Sequence, residues 1–198
     1  MSKLNVAILL FDEIEVLDFA GPFEVYSVTS ELNQYKLFNV YMVAEEKRPI
    51  IAVNGLSVNP DYAIADAPAP DILIVPGGAG SRAAMKSSAI LSWIKQHHPN
   101  TKHTVSVCTG ALVLGKAGLL DNLEITTHHE LYDFMQKVVP SATLNRTTRF
   151  VDNGHIMTSG GISAGIDMSL HIVEKLHGPD ISNKTRIYME YGNWRELE

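Results

Sequence analysis

The chain has 198 residues, 45% hydrophobic and 19% charged, with 16 basic against 22 acidic side chains and a net charge of −6. A chain this long buries about 70% of its unfolded surface and stocks a core without staples, and roughly 150 residues per domain favours a single one. The acidic balance argues against a nucleic-acid partner, one cysteine excludes an internal disulfide or a cysteine zinc cluster, and no apolar run nears the roughly 20 residues that span a bilayer.

The start, Met1-Ser2-Lys3-Leu4, has no secretory apolar core or cleavage site, so a cytoplasmic protein without membrane contact is expected. Val6 to Phe11 reads as a strand buried on both faces, the signature of a parallel sheet. Pro22 suits a first helical position, and Phe23, Val25, Tyr26 and Val28 follow it. Lys36 to Val43 alternates enough for a strand nearer an edge. Short strands around Ile51–Val53 and Leu56–Val58 flank Asn54-Gly55, a hairpin signal, and Pro60 to Pro70 reads as a surface connection.

Ile72 to Val75 and Thr104 to Val107 are further buried strands. Between them Ile90, Leu91, Trp93 and Ile94 mark a helix running to about His98. Thr109 to Gly115 is a helix of small and apolar residues that must be buried, and Glu130 to Val138 is an amphipathic one. Thr147–Val151 and His155–Thr158 flank Asp152-Asn153-Gly154, a second hairpin. Gly165 to Leu176 closes the helical pattern before Gly178-Pro179. Alternation of strand and helix implies an α/β sandwich of six or seven mostly parallel strands, one domain over residues 1–194 with a charged tail at 195–198.

Ligands of open parallel sheets sit beyond the carboxyl ends of the strands. Three segments converge there: Leu17 to Pro22, Val75 to Gly80, and Ser106 to Ala111. Cys108 stands between a strand and a helix with small residues at −2 and +2, the requirement of a nucleophile elbow, and the helix end is expected to lower its pKa. The competing reading is an inert buried cysteine. Gly77 and Gly78 permit close backbone approach, and the Gly78 and Thr109 N–H groups are candidates for an oxyanion hole. Asp18 is either a helix-start acid or the acidic partner of Cys108; Glu15 and Asp12 read as solvated loop charges. His97 and His98 read as solvent-facing, and His128 as a rim or surface residue pointing away from His129. No spacing suits a metal, and no cofactor is expected.

These segments, with Thr126-Thr127-His128 and Thr158-Ser159-Gly160-Gly161-Ile162-Ser163-Ala164-Gly165-Ile166-Asp167, resemble the ThiJ/PfpI superfamily of class I glutamine-amidotransferase-like proteins. The resemblance implies a three-layer, flavodoxin-like sandwich, a Cys108 nucleophile with Asp18 as acidic partner, Thr109 and Gly78 as backbone donors, and Gly161 and Ile162 near the pocket. Within the superfamily, the isonitrile hydratases and the sensor domains of AraC-type regulators share Cys-Thr-Gly at the elbow. The protease-like branch has a histidine after the cysteine; here Thr109 stands there, which weakens an amidase or protease reading. The resemblance therefore implies a homodimeric enzyme that hydrates a small isonitrile, or a non-catalytic sensing module. Only about 20 residues follow Leu176, too few for a fused helix-turn-helix domain.

Overall fold

The computed structural model describes residues 3–197. Strand β1 (Leu4–Leu10) lies at the sheet centre, where Val6 to Leu10 are completely buried. Parallel partners flank it, β2 (Phe38–Ala44) on one side and β6 (Ile72–Val75) on the other. Beyond β6 come β7 (His103–Ser106) and β11 (Ile156–Ser159), both parallel, and then β10 (Phe150–Asp152), antiparallel. Beyond β2 a two-residue strand, β5 (Tyr62–Ala63), closes the other edge. The order β10-β11-β7-β6-β1-β2-β5 gives seven strands. Strands covered on both faces have no polar side to show, which is why Val6 to Leu10 of β1 and the whole of β6 are apolar.

Helices cover both faces. α1 (Val16–Leu32) packs on α6 (Ala164–His177) and α7 (Pro179–Tyr188), while α4 (Ala111–Lys116) packs on α5 (Tyr132–Val138) and near α2 (Ser81–Ala84) and α3 (Ser88–His97). A three-layer α/β sandwich results, as the sequence implies. Both hairpins form. The first is the separate ribbon β3 (Ile50–Ile51) with β4 (Ser57–Val58), turned through Asn54 at φ 66° and Gly55 at φ 90°. In the second, Gly154 at φ 85° donates to Asp152 Oδ1 at 2.6 Å.

Several elements depart from the sequence reading. α1 starts at Val16, so Pro22 lies inside it rather than at its first position. The cause is tertiary: Ile14 bridges to Gly78 and the Glu15 N–H donates to Gly77 O at 2.9 Å, so the chain is extended through residue 15 and turns helical at once. Pro22 is buried, and its ring packs close to Gly165. The Pro60–Pro70 connection carries the edge strand β5, and a small parallel pair, β8 (Glu124–Ile125) with β9 (Thr143–Leu144), was not foreseen. Gly178 does end α6, at φ 90°, but Pro179 is the first residue of α7, because a missing N–H costs nothing there. His98 is not solvent-facing: it stacks on His155 with ring centres 4.4 Å apart, and its Nδ1 is 3.0 Å from Thr104 Oγ1.

Candidate active site

β7 leaves the sheet through Val107, and the chain reverses at Cys108, whose φ is 55°. A non-glycine residue pays about 1–3 kcal/mol for such backbone, so the surroundings must impose it. Three features do so. The Cys108 N–H donates to Gly160 O at 3.1 Å, and the Cys108 carbonyl accepts from the Thr127 hydroxyl at 2.8 Å. At +2, a Cβ on Gly110 would fall onto the Val75 carbonyl, so only glycine fits the turn. The strained elbow expected from the spacing is therefore present. It leads through a short tight turn, Cys108–Gly110, into α4.

Asp18, on the first turn of α1, is completely buried, and its Oδ2 accepts the Gly77 N–H at 3.0 Å. Its Oδ1 is buried without a partner of good hydrogen-bond geometry. Burial raises the carboxyl to about 7, opposed by the Gly77 N–H and by the neighbouring Cys108 thiol, and the charge of Glu15 pushes it further up. The thiol's pull is an effect of proximity, since no aligned S–H···O bond forms. Cys108 itself is pushed up to about 12, by burial first and by the Asp18 charge second; the N–H groups of Thr109 and Ile162 pull it down. This reverses the lowering expected at a helix end. α4 is only six residues long, and its favourable field is outweighed by loss of solvent and by a carboxylate in the same pocket. The pair therefore gives up its first proton near pH 7, leaving the negative charge on Asp18, and holds the second on sulfur far above it.

The loop after β6 fits against the elbow without slack. A Cβ on Gly77 would lie 2.5 Å from both Thr109 N and Thr109 Oγ1 and 2.9 Å from Asp18 Oδ2. Gly78, at φ 121°, donates its N–H to Thr109 Oγ1 at 2.8 Å. That N–H, anticipated as a donor to a ligand, is thus engaged within the protein. The N–H groups that act on the sulfur belong to Thr109 and to Ile162, which has φ 50°. A Cβ on Gly161 would lie 2.5 Å from His128 Cδ2, so the absence of a side chain there lets the imidazole close over the site.

A cavity of about 280 Å³ opens above Cys108, bounded by Gly78, Thr109, Ile162 and His128, with Glu15 and Arg82 also in its wall. The structure brings together five of the anticipated residues here, and Gly161 through its contact with His128; Asp18 lies just beneath, at Gly77. Glu15, half-buried, lines the mouth of this cavity, where the strand-like tether of residues 14–15 holds it. Arg82, Ser81 and Thr127 were missed. Thr127 lies within a motif already singled out, so a hydroxyl reaching the elbow was its only available signal. His128 and His129 do not point apart: their rings are 4.5 Å from each other. Two larger hollows, about 360 and 550 Å³, flank the exposed Arg48–Asp12 ion pair and contain no cysteine.

A cysteine held at positive φ between strand and helix, over a buried carboxyl that keeps its proton to near neutrality, defines a class: α/β proteins with a cysteine elbow. Residues 4–175 match the DJ-1/PfpI family, and the chain belongs to it. It is 32% identical over 188 residues to isonitrile hydratase of Pseudomonas putida, across 95% of this chain and 78% of that protein. It is 28% identical to the HTH-type transcriptional regulator GbdR of Pseudomonas aeruginosa, across 90% of this chain but only 48% of the regulator. The crystal structure of a THiJ/PfpI family protein from Pseudomonas syringae superposes with a TM-score of 0.87 at 26% identity, covering 96% of this chain and 76% of that one.

Proposed function

We propose that this protein hydrates a small isonitrile to an N-substituted formamide, with Cys108 as nucleophile and Asp18 as acid and base. The observation that carries the reading is the juxtaposition of Cys108 at φ 55° with a buried Asp18 whose carboxyl titrates near 7. Above that pH the carboxylate takes the thiol proton as sulfur attacks the terminal isonitrile carbon. The S–C bond forms, and Asp18 returns the proton to that carbon, giving a thioimidate, S–CH=N–R. Water then adds to the same carbon; one of its protons goes to nitrogen and the other to Asp18. Collapse breaks the C–S bond and releases R–NH–CHO, and the departing sulfur takes back the Asp18 proton. The Thr109 and Ile162 N–H groups steady negative charge on sulfur as it is expelled. A general acid–base group contributes about 10²–10⁴-fold, most when its pKa lies near the working pH, and Asp18 meets that condition. The cavity of about 280 Å³ suits a small substrate.

The similarity to transcriptional regulators supports a second reading, a module that binds a small molecule without turnover. Incubation with a simple alkyl isonitrile separates them: wild type forms the formamide and Cys108→Ala does not, whereas calorimetric binding with no product supports the sensor. We further propose a cytoplasmic homodimer. Leu17 and Ile162, each 38% exposed, lie on α1 and at the entry to α6, helices that pack together beside the cavity. Among the described residues no helix is long and apolar enough to cross a membrane.

A further inference from the structure

Ser81 is completely buried at the start of α2, behind the cavity rather than in its wall. Its hydroxyl is 2.8 Å from Gly78 O and 3.0 Å from Thr109 Oγ1. Thr109 Oγ1 in turn accepts the Gly78 N–H at 2.8 Å and is 3.0 Å from Gly78 O. The two hydroxyls and the Ser81 main-chain N–H, itself 3.2 Å from Gly78 O, therefore compete for the two lone pairs of one carbonyl, and each has a single proton to give.

We infer that Ser81 is a positioning residue that frees the Thr109 hydroxyl to donate into the cavity. The ring has two ways to satisfy itself. In one, the Thr109 proton goes to Gly78 O and Ser81 donates to Thr109 Oγ1. In the other, Ser81 donates to Gly78 O, the shorter of the two contacts, and the Thr109 proton swings away. Thr109 Oγ1 keeps the Gly78 N–H in both, so its oxygen stays fixed while its proton turns. The second arrangement costs little because Gly78 O is still served by the Ser81 hydroxyl. Without that hydroxyl, only the Ser81 main-chain N–H at 3.2 Å would remain for the carbonyl, and the Thr109 proton would be locked onto it. Thr109 lines the cavity beside Cys108, so a proton released there becomes available to the nitrogen of an isonitrile, where electron density builds as sulfur attacks carbon. Polarising that nitrogen assists both formation of the thioimidate and the later addition of water.

This inference rests on the proposed isonitrile chemistry, and its test separates the two. Ser81→Ala removes one oxygen from a buried site and leaves α2 otherwise intact. Losing one hydrogen bond that matters at the transition state is worth about ten-fold. Expected are a ten-fold lower kcat with KM within about two-fold, and almost no further loss when Ser81→Ala is placed on Thr109→Val. Thr109→Ser, which keeps the hydroxyl, should retain the ten-fold response to Ser81→Ala that Thr109→Val abolishes. In parallel, Cys108 is alkylated with acrylamide, whose carbonyl oxygen gains charge as the C–S bond forms, and with methyl iodide, which has no such acceptor. Ser81→Ala should slow acrylamide about ten-fold and methyl iodide less than two-fold. If wild type shows no isonitrile turnover but the acrylamide difference is seen, the substrate reading fails and the relay stands. Equal slowing of both reagents, or an undiminished Ser81→Ala effect on the Thr109→Val background, overturns the relay and leaves Ser81 as a packing residue. Unchanged rates with both reagents overturn it as well.

Discussion

Asp18→Asn removes the charge that burial resists while keeping the size of the side chain, and its consequence for stability follows from the carboxyl pKa. In the unfolded chain the carboxyl titrates at its ordinary 3.8; in the folded protein it titrates at about 7. Between those values the folded state holds a proton that the unfolded state has lost. The stabilisation this represents is fully present below pH 3.8 and is lost as pH rises through 7. At 1.36 kcal/mol per pH unit the whole interval corresponds to about 4 kcal/mol, and the part between pH 5 and 7 to roughly 2–3 kcal/mol. The amide that replaces the carboxyl does not titrate, and the other ionisable groups are common to both proteins. Urea denaturation at pH 5, 6, 7 and 8 should therefore show the variant gaining on wild type by roughly 2–3 kcal/mol from pH 5 to 7 and little further to pH 8. A gap that stays constant across this range would refute the raised carboxyl and with it the basis for Asp18 as a proton shuttle.

Other outcomes follow from the same geometry. The kcat/KM for an isonitrile should rise with pH through an apparent pKa of about 7, since Asp18 must be ionised to accept the thiol proton; a flat profile from about pH 5.5 to 8.5 would assign the proton transfer elsewhere. Asp18→Asn should lower turnover by about 10²–10⁴-fold, measured as formamide release at pH 8. Gly77→Ala would push a methyl to 2.5 Å from Thr109 Oγ1 and displace the Asp18 carboxyl, so turnover should fall by more than about 100-fold; wild-type rates would contradict the packing. Thr127→Val strips the Cys108 carbonyl of its hydroxyl donor, and thermal or urea unfolding should show a loss of about 1–3 kcal/mol.

The strands β1 and β6 were legible because a strand buried on both faces leaves an apolar run at Val6 to Leu10 and Ile72–Val75, whereas β7, His-Thr-Val-Ser, is buried but mostly polar; the elbow was legible because a turn this tight has no room for a side chain at Gly110. What escaped notice was set by distant contacts. The start of α1 depends on Glu15 and Ile14 being tethered to the distant loop at Gly77 and Gly78, and nothing local to Pro22 reports that tether. β5 and β8 are two residues long and give no period to read. The pKa of Cys108 failed for a related reason: helix position is visible in sequence, but burial and the facing carboxylate exist only once α1 lies across the elbow. Arg82 and Ser81 follow a glycine-rich loop whose path brings Ser81 to Thr109 and Arg82 to the cavity wall, a proximity the spacing alone did not contain.

The central claim is that the isonitrile carbon becomes bonded to Cys108. Wild type mixed with excess alkyl isonitrile, quenched in acid within the first turnovers and digested, should yield the Cys108 peptide heavier by the mass of one isonitrile molecule. Formamide accumulating at full rate with Cys108 unmodified at every quench time, or released equally by Cys108→Ala, would contradict the account.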